Sequence, residues 1–197
     1  MFEKIIINIC RVLEKNKSFL NDLDQKIGDG DHGTNINRGF YEYKNNIEQF
    51  KGLALKDKLE KLAFALMNKV GGTSGPLLGM FILTISENIN TGSTDNIIES
   101  FDKALISLQA LGGADLNDKT MVDSLIPAIN NMKSLQDKSI QSLFKTALMG
   151  AEEGYKSIVD VVAKKGRASY LKERSIGHID PGSYSIYLIF LAIVEVI

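Results

Sequence analysis

The chain has 197 residues, enough for one domain with a full hydrophobic core. Apolar residues make up 44% of it and charged residues 24%, as in ordinary soluble globular proteins. The net charge of −1 gives no electrostatic argument for a nucleic-acid or a membrane partner. The single cysteine, Cys10, excludes an internal disulfide, so we expect a reducing, cytoplasmic location. The apolar run 184–197 is shorter than the ~20 residues that span a bilayer, which predicts a core helix.

Apolar residues recur at helical spacing along the chain, and no segment alternates as a β-strand does. The spacing predicts an all-α fold of eight helices in a single domain over residues 1–197. Pro76 and Pro181 suit the first turns of helices four and eight, and Thr94 or Asp95 can cap helix five. Pro127 should bend helix six or lie near its first turns. The predicted helices begin near residues 2, 34, 55, 77, 95, 121, 138 and 181, and the first, third, fourth and seventh end near 24, 70, 90 and 163.

Short connections predict that neighbouring helices pack antiparallel, as in an up-and-down bundle. The odd-numbered connections then meet at one end, here called the odd end: 25–33, 71–75, 112–119 and 164–180. These connections hold nearly all of the glycine clusters and unusual polar residues. The connections near Gly52, Gly92 and Ser134 form the even end and resemble generic turns. We therefore expect a single site at the odd end, assembled from four loops that are distant in sequence.

Three carboxylates, Asp24, Asp29 and Asp31, fall within eight residues around the first odd connection. Carboxylates this close repel one another unless a cation lies between them, and Mg²⁺ is commonly held by carboxylates together with substrate phosphates. The alternative is a solvated Asp-Gly turn. The match of residues 28–33 to G-x-G-x-x-G lacks the preceding strand that a dinucleotide site requires. Gly33 also stands where an EF-hand loop needs a ligand.

The other odd connections each allow a functional and a purely structural interpretation. Residues 71–75 present backbone N–H groups and two hydroxyls before a helix, as a phosphate cradle or as a cap and tight turn. Met121 can lie against a flat ring or simply pack in the core, and Asp118 is a candidate N-cap. The arginines of 164–180 suit phosphate or a surface ion-pair network. The length and polarity of this connection predict a lid that nucleotide orders.

Four motifs in chain order resemble those of the nucleotide-binding L subunit of phosphoenolpyruvate-dependent dihydroxyacetone kinase. They occupy residues 27–35 (IGDGDHGTN), 71–76 (GGTSGP), 118–123 (DKTMVD) and 166–182 (GRASYLKERSIGHIDPG). The resemblance covers essentially the whole chain, and the last motif is the most specific. It implies a barrel of eight antiparallel helices. Asn117 stands where family members often have glycine, and asparagine also tolerates the left-handed conformation that such a turn requires.

The resemblance also implies a tightly bound ADP and two Mg²⁺ ions. Asp24, Asp29 and Asp31 would hold the metal ions, and no side chain of the motifs is an obvious nucleophile. Metal and nucleotide would therefore carry the chemistry, as expected for phosphoryl transfer. The nucleotide contacts implied by the resemblance are His32, Gly33, Thr34, Asn35, Thr73, Ser74, Gly112, Met121, Arg167, Asp180, Pro181 and Gly182.

In the function that the resemblance implies, ADP accepts phosphate from a phosphocarrier subunit of the phosphotransferase system. The phosphate then passes to dihydroxyacetone, which a separate K subunit holds, so the chain should be active only with partners. One alternative is an ATP-using kinase subunit for another small hydroxy-ketone or an acyl substrate. The metal-loop sequence Gly-Asp-His-Gly-Thr-Asn and the long C-terminal motif favour the dihydroxyacetone kinase. Another alternative is a nucleotide-loaded binding protein that signals phosphorylation state to a transcriptional regulator.

Overall fold

A computed structural model describes residues 1–137 and 139–197 of the chain. Within these residues the protein is all-helical, with eight α-helices, two 3₁₀-helices and no β-strand. The α-helices are α1 Phe2–Ile27, α2 His32–Asn45, α3 Leu55–Lys69, α4 Ser74–Asn88, α5 Thr94–Gly112, α6 Val122–Ser134, α7 Ile140–Ser157 and α8 Pro181–Val194. The 3₁₀-helices are Ile47–Phe50 and Arg167–Ser175.

Each α-helix packs against the next one along the chain, and α8 packs back against α1, so the helices close into a barrel. Short connections between neighbours that are in contact make successive helices antiparallel. The interior is filled by apolar side chains from all eight helices, including Leu13, Phe40, Leu66, Ile129 and Leu143, each of which is almost completely buried. The predicted eight-helix antiparallel fold is confirmed.

Glycines on α7 bring that helix unusually close to α6. A Cβ atom added at Gly150 would lie 2.5 Å from the carbonyl oxygen of Pro127, and one at Gly154 would lie 2.8 Å from Cα of Ser124. The Ser124 hydroxyl also donates to the carbonyl of Ala151 at 3.1 Å. Since packed interiors tolerate little movement, these contacts fix the start of α6, which belongs to the odd end.

Helix boundaries around the first odd connection differ from the prediction. The first helix continues past Asp24 to Ile27, and the N–H of Gly28 donates to the carbonyl of Asp24 at 2.5 Å. The second helix begins at His32 rather than near Thr34. Propensity allows the extra turn of α1, because glutamine and lysine are good helix formers, but it gives no warning that α2 begins before Gly33. The consequence is that Asp24 is held on a helix rather than in a loop.

The boundaries of several later helices also differ from the prediction. Helix α4 begins at Ser74, with Pro76 in its first turn, and Ser93 rather than Thr94 or Asp95 caps α5 by accepting from the N–H of Asn96 at 3.3 Å. Pro127 lies inside α6. The predicted start of the seventh helix, Lys138, lies outside the described residues. That helix ends at Ser157 rather than near residue 163. Turns follow it, and the carbonyl of Val159 accepts from the buried Lys119 ammonium instead of from a helical N–H group.

None of the helices in the described part of the chain is long and apolar enough to cross a membrane. The C-terminal apolar run forms α8, which packs against α1 and α7 as predicted for a core helix.

Candidate functional site

The odd end gathers three carboxylates into one cluster. One oxygen atom from each of Asp24, Asp29 and Asp31 lies within 4.8 Å of the others. Asp24 is buried, whereas Asp29 and Asp31 are exposed. A wholly solvated turn would leave all three side chains in water, so the burial of Asp24 argues for a constructed site.

Backbone contacts fix the orientation of the Asp24 carboxylate. Its Oδ2 accepts from the N–H of Asp31 at 2.9 Å and from that of His32 at 3.1 Å. The other oxygen, Oδ1, faces Gly28, where an added Cβ would collide with it. One oxygen is thus used for positioning and the other is available as a ligand. Oriented carboxylate oxygens of this kind fit a hard divalent cation such as Mg²⁺.

Arg167, in the last odd connection, forms an ion pair with Asp29 through its Nη1 atom. The sequence offers Glu173 and Asp180 as local partners for the arginines, but the partner observed lies far away in the first odd connection. The guanidinium and the aspartate cluster therefore face one another. The planar guanidinium of Arg167 lies beside the carboxylates that could hold a metal ion, and its fixed set of N–H donors suits a phosphate group.

A cavity of about 800 Å³ opens beside this cluster. Its volume falls within the range of pockets that hold small-molecule ligands. All four odd connections contribute to its wall, as expected from their parity. The predicted site residues that line it are Asp24, Asp29, Asp31, His32, Asn35, Thr73, Ser74, Gly112, Met121, Arg167, Asp180, Pro181 and Gly182.

Two predicted contacts, Gly33 and Thr34, are not among the lining residues. Gly33 is packed against α1, where an added Cβ would lie 2.8 Å from Cβ of Leu20. The N–H of Thr34 donates to Oδ1 of Asn21 at 3.0 Å, and its hydroxyl accepts from Nδ2 of the same residue at 3.0 Å. Both residues therefore join α2 to α1.

Helix N-termini supply the polar wall of the cavity. Thr73 is the N-cap of α4 and makes no side-chain cap bond, so its hydroxyl remains available. At the start of α8, Oδ2 of Asp180 accepts from the N–H of Ser183 at 2.6 Å and so caps the helix. The exposed N–H groups of the first turns and the helix dipole favour phosphate there.

Apolar side chains also line the cavity. Met121 lies 8% exposed at the N-cap of α6, close to Gly182, where an added Cβ would be 3.6 Å from Cβ of Met121. Leu77, Leu108 and Leu111 also line the cavity. Sequence reasoning missed these leucines, because their spacing is that of ordinary core residues. Together these side chains offer an apolar surface for a flat ring.

The turn before α6 is organised by a carboxylate that the sequence did not reveal. Asp123 accepts from the N–H of Asn117 at 2.5 Å and from that of Thr120 at 2.7 Å. Asn117 has φ 65°, so the left-handed turn expected at this position is present. Asp118 is not the N-cap: its side chain accepts from the N–H of Asp115 at 3.0 Å and pairs with Lys164 at 3.2 Å.

Burial shifts the titration of two groups in the cavity wall. Burial lowers the pKa of His32, although the negative charges of Asp24 and Asp31 act to raise it. The neutral imidazole is therefore favoured. Its Nε2 is 2.8 Å from the Ser185 hydroxyl on α8. Burial also raises the pKa of Asp180 to about 7, although the hydrogen bond from Ser183 acts in the opposite direction. Both shifts are typical of functional cavities.

Comparison with known proteins identifies relatives of this arrangement. The DAK2 domain family model matches residues 26–195. The "PTS-dependent dihydroxyacetone kinase, ADP-binding subunit DhaL" of Lactococcus lactis is 39% identical over 186 residues, covering 94% of this chain and 91% of that protein. The "PEP-dependent dihydroxyacetone kinase 1, ADP-binding subunit DhaL" of Listeria innocua is 36% identical over 185 residues, covering 93% and 89%.

A solved structure shares the fold. The dihydroxyacetone kinase from C. freundii, crystallised in complex with AMP-PNP and Mg²⁺, superposes with a TM-score of 0.78 at 24% identity. It covers 99% of this chain, which spans only 33% of the kinase chain. The match therefore concerns one domain of a longer protein, and at this identity it supports the barrel fold alone.

Proposed function

The chain belongs to the DAK2 domain family, and from that premise we propose that it acts as the ADP-binding subunit of a dihydroxyacetone kinase and works together with separate subunits. The relatives with the same length and extent of match carry the names of such subunits. Single-chain kinases such as that of Citrobacter freundii match over only 34% of their length. The remaining functions of the kinase are thus proposed to reside on partner chains.

The observation that carries the proposal is the aspartate cluster at the edge of a cavity of nucleotide size. Three carboxylates within 4.8 Å, an arginine paired with one of them and two helix N-termini face the same space. Such a set neutralises a polyphosphate. The apolar wall around Met121 and Leu108 then suits an adenine ring. The proposed ligand is ADP with its phosphates toward the aspartates.

Asp24, Asp29 and Asp31 would hold two Mg²⁺ ions, which supply charge neutralisation at the phosphates. The protein's own share of the work is orientation. Asp24 is aimed by two backbone N–H groups, and Arg167 approaches from the facing loop. Positioning and electrostatics of this kind are the main requirements of phosphoryl transfer.

The proposed reaction is a relay between partners. A phosphocarrier subunit of the phosphotransferase system supplies the phosphate to ADP, and a K subunit presents dihydroxyacetone as the final acceptor.

A direct prediction is that the purified protein contains ADP. Acid extraction and chromatography should recover about one ADP per chain. A nucleotide-free preparation whose thermal stability does not rise on adding Mg-ADP would contradict the proposal, because a ligand at ~1,000 times its dissociation constant should add about 4 kcal/mol.

A reconstitution assay tests the relay. We expect the purified chain to phosphorylate dihydroxyacetone only when the K subunit, the phosphocarrier and its phosphoenolpyruvate-driven supply are all present. Each component is omitted in turn as a control, and ATP replaces the carrier system in a parallel reaction. Efficient turnover with ATP alone would instead identify an ATP-using kinase subunit. Mg-ADP binding without turnover in any mixture would identify a regulatory binding protein.

A further inference from the structure

Lys119 is a buried lysine of the odd end for which the proposed function has no direct use. Its side chain is 1% exposed, and it forms no salt bridge within residues 1–137 and 139–197. The ammonium donates instead to the backbone carbonyls of Val159 at 2.9 Å, Val161 at 3.0 Å and Ser175 at 2.8 Å. All three of its N–H groups are therefore used. Because a buried charge is costly unless fully hydrogen-bonded, this arrangement suggests a specific positioning role.

The three carbonyls belong to the two ends of one loop. Residues 158–177, here called the arginine loop, leave α7 and return before α8. Two of the carbonyls precede the loop's 3₁₀-helix, Arg167–Ser175, and the third is at its end. These two ends, here called the neck of the loop, are also joined by two backbone N–H groups. The N–H of Gly177 donates to the Val159 carbonyl at 2.9 Å, and the N–H of Ala163 donates to the Ser175 hydroxyl at 2.9 Å.

Lys119 is itself held in a fixed place. It has φ 64°, a left-handed conformation that costs a non-glycine residue energy and persists where surrounding contacts determine it. The Asp123 carboxylate supplies those contacts by accepting N–H groups on both sides, from Asn117 and Thr120. The start of α6 thus fixes Lys119, and Lys119 fixes the neck of the arginine loop.

The tip of the arginine loop reaches the aspartate cluster. Arg167 pairs with Asp29, and Tyr170, which is 83% exposed, stands at the cavity wall. A loop tip can deliver a side chain reproducibly only if its base is fixed. The lysine lies at that base and also lines the cavity that contains the arginine's target, Asp29.

We propose that Lys119 is a positioning residue that clamps the neck of the arginine loop and so presents Arg167 to the phosphate end of the nucleotide. The proposal rests on the proposed function for its ligand, but the clamp itself belongs to the protein alone. Losing the ammonium should loosen the loop and accelerate nucleotide release. The effect on release should operate through Arg167.

The test compares Lys119→Met with Lys103→Met, which removes an exposed lysine on α5 that pairs with Glu99. Limited trypsinolysis with mass mapping, on protein freed of metal and nucleotide, reports loop mobility at Lys165, Arg167 and Arg174. Stopped-flow release of a fluorescent ADP analogue in Mg²⁺ reports nucleotide dissociation. Both readouts are repeated in an Arg167→Ala background.

We expect Lys119→Met to be cut first in the arginine loop and to release nucleotide about tenfold faster, the scale of one charge-assisted hydrogen bond. Lys103→Met should match the wild type. In the Arg167→Ala background the Lys119 substitution should add little to the release rate. Equal cleavage of Lys119→Met and wild type, or full additivity with Arg167→Ala, would overturn the proposal.

Two further measurements distinguish a failure of the clamp from misfolding of the variant and from a failure of the proposed nucleotide binding. If Lys119→Met does not fold, Lys119→Gln, which keeps a side-chain donor but cannot bond to all three carbonyls, must show faster loop cleavage and faster release, and unchanged values would overturn the clamp. If the wild type binds no Mg-ADP, the proposed function and the nucleotide part of this inference both fall. The cleavage pattern then still decides whether Lys119 clamps the loop.

Discussion

The two ends of the barrel are formed by the same eight helices but are built differently. At the even end, Gly52 and Gly92 adopt φ 86° and 66°, and nothing lies within 4 Å of a Cβ added at either position. The odd end also has glycines with positive φ, such as Gly72 and Gly166, but there the non-glycine residues Asn117, Lys119 and Lys172 take positive φ as well. The two even-end turns thus use glycine for this conformation, whereas the odd end also imposes it on residues that carry side chains.

Buried charged groups follow the same division. Asp24, Lys119 and Asp123 are each at most 8% exposed, and all belong to the odd end. Each is satisfied by backbone groups rather than by a partner of opposite charge. Strain and buried charge concentrated at one end mark the part of the molecule that is organised for function rather than for stability.

The largest effect should come from the aspartate cluster. Asp29→Asn removes the charge of a proposed metal ligand from an exposed side chain and should weaken Mg-ADP binding about 100-fold, with the helical circular dichroism unchanged. Asp57→Asn, in the first turn of α3 at the even end, is the matched control and should bind normally. Isothermal titration calorimetry measures both. Equal affinity of Asp29→Asn and wild type would mean that Asp29 is not a ligand.

The two ends should also respond differently to pH. Because burial raises the pKa of Asp180 to about 7 from 3.8, the folded state binds more protons than the unfolded state between these values. The free energy of unfolding should therefore fall as pH rises from about 4 to about 7. Asp180→Asn keeps an oxygen for the cap but cannot titrate. At pH 8 the free energy of unfolding of this variant should therefore exceed that of the wild type by about 1–3 kcal/mol.

Urea unfolding of metal- and nucleotide-free protein at pH 5 and pH 8 measures this difference. The control is Ser93→Ala, which removes the uncharged cap of α5 at the even end. It should lower the free energy of unfolding by about 1 kcal/mol at both pH values. If Asp180→Asn and wild type keep the same stability difference at pH 5 and pH 8, Asp180 does not titrate in this interval.

A pair of glycine substitutions should separate function from stability. An alanine Cβ at Gly28 meets Oδ1 of Asp24, so Gly28→Ala should weaken Mg-ADP binding about tenfold with little change in unfolding. Gly52→Ala meets nothing but is strained at φ 86°, so it should cost about 1–2 kcal/mol of stability and leave binding unchanged. Titration and thermal unfolding of both variants give the comparison. The reverse outcome would contradict the account of the two ends.

Much of this organisation could be predicted from the sequence. Helical spacing and short connections predicted the eight helices, and the parity of the glycine clusters predicted which four connections meet. Cavity walls that include Asp31, Thr73, Gly112 and Arg167 agree with that geometry. These features are readable because each depends on local residue types and on counting connections.

The rest depends on contacts that leave no local pattern. Lys119 bonds to carbonyls 40, 42 and 56 residues away, and any residue can supply a carbonyl. The same limit applies to Asp123, whose bonds go to backbone N–H groups. Helix α2 begins at His32 although Gly33 is a weak helix former, and Arg167 pairs with Asp29 across the barrel end rather than with a local carboxylate. Tertiary packing decided each of these.

Hydrogen–deuterium exchange with and without Mg-ADP, followed by mass spectrometry, shows which end of the barrel binds the nucleotide. A site at the odd end should slow exchange on binding at residues 24–35, 71–77, 112–121 and 165–182. No change is expected at 46–54 and 89–93 of the even end. Protection spread equally over both ends, or confined to the even end, would contradict a nucleotide site formed by the odd connections.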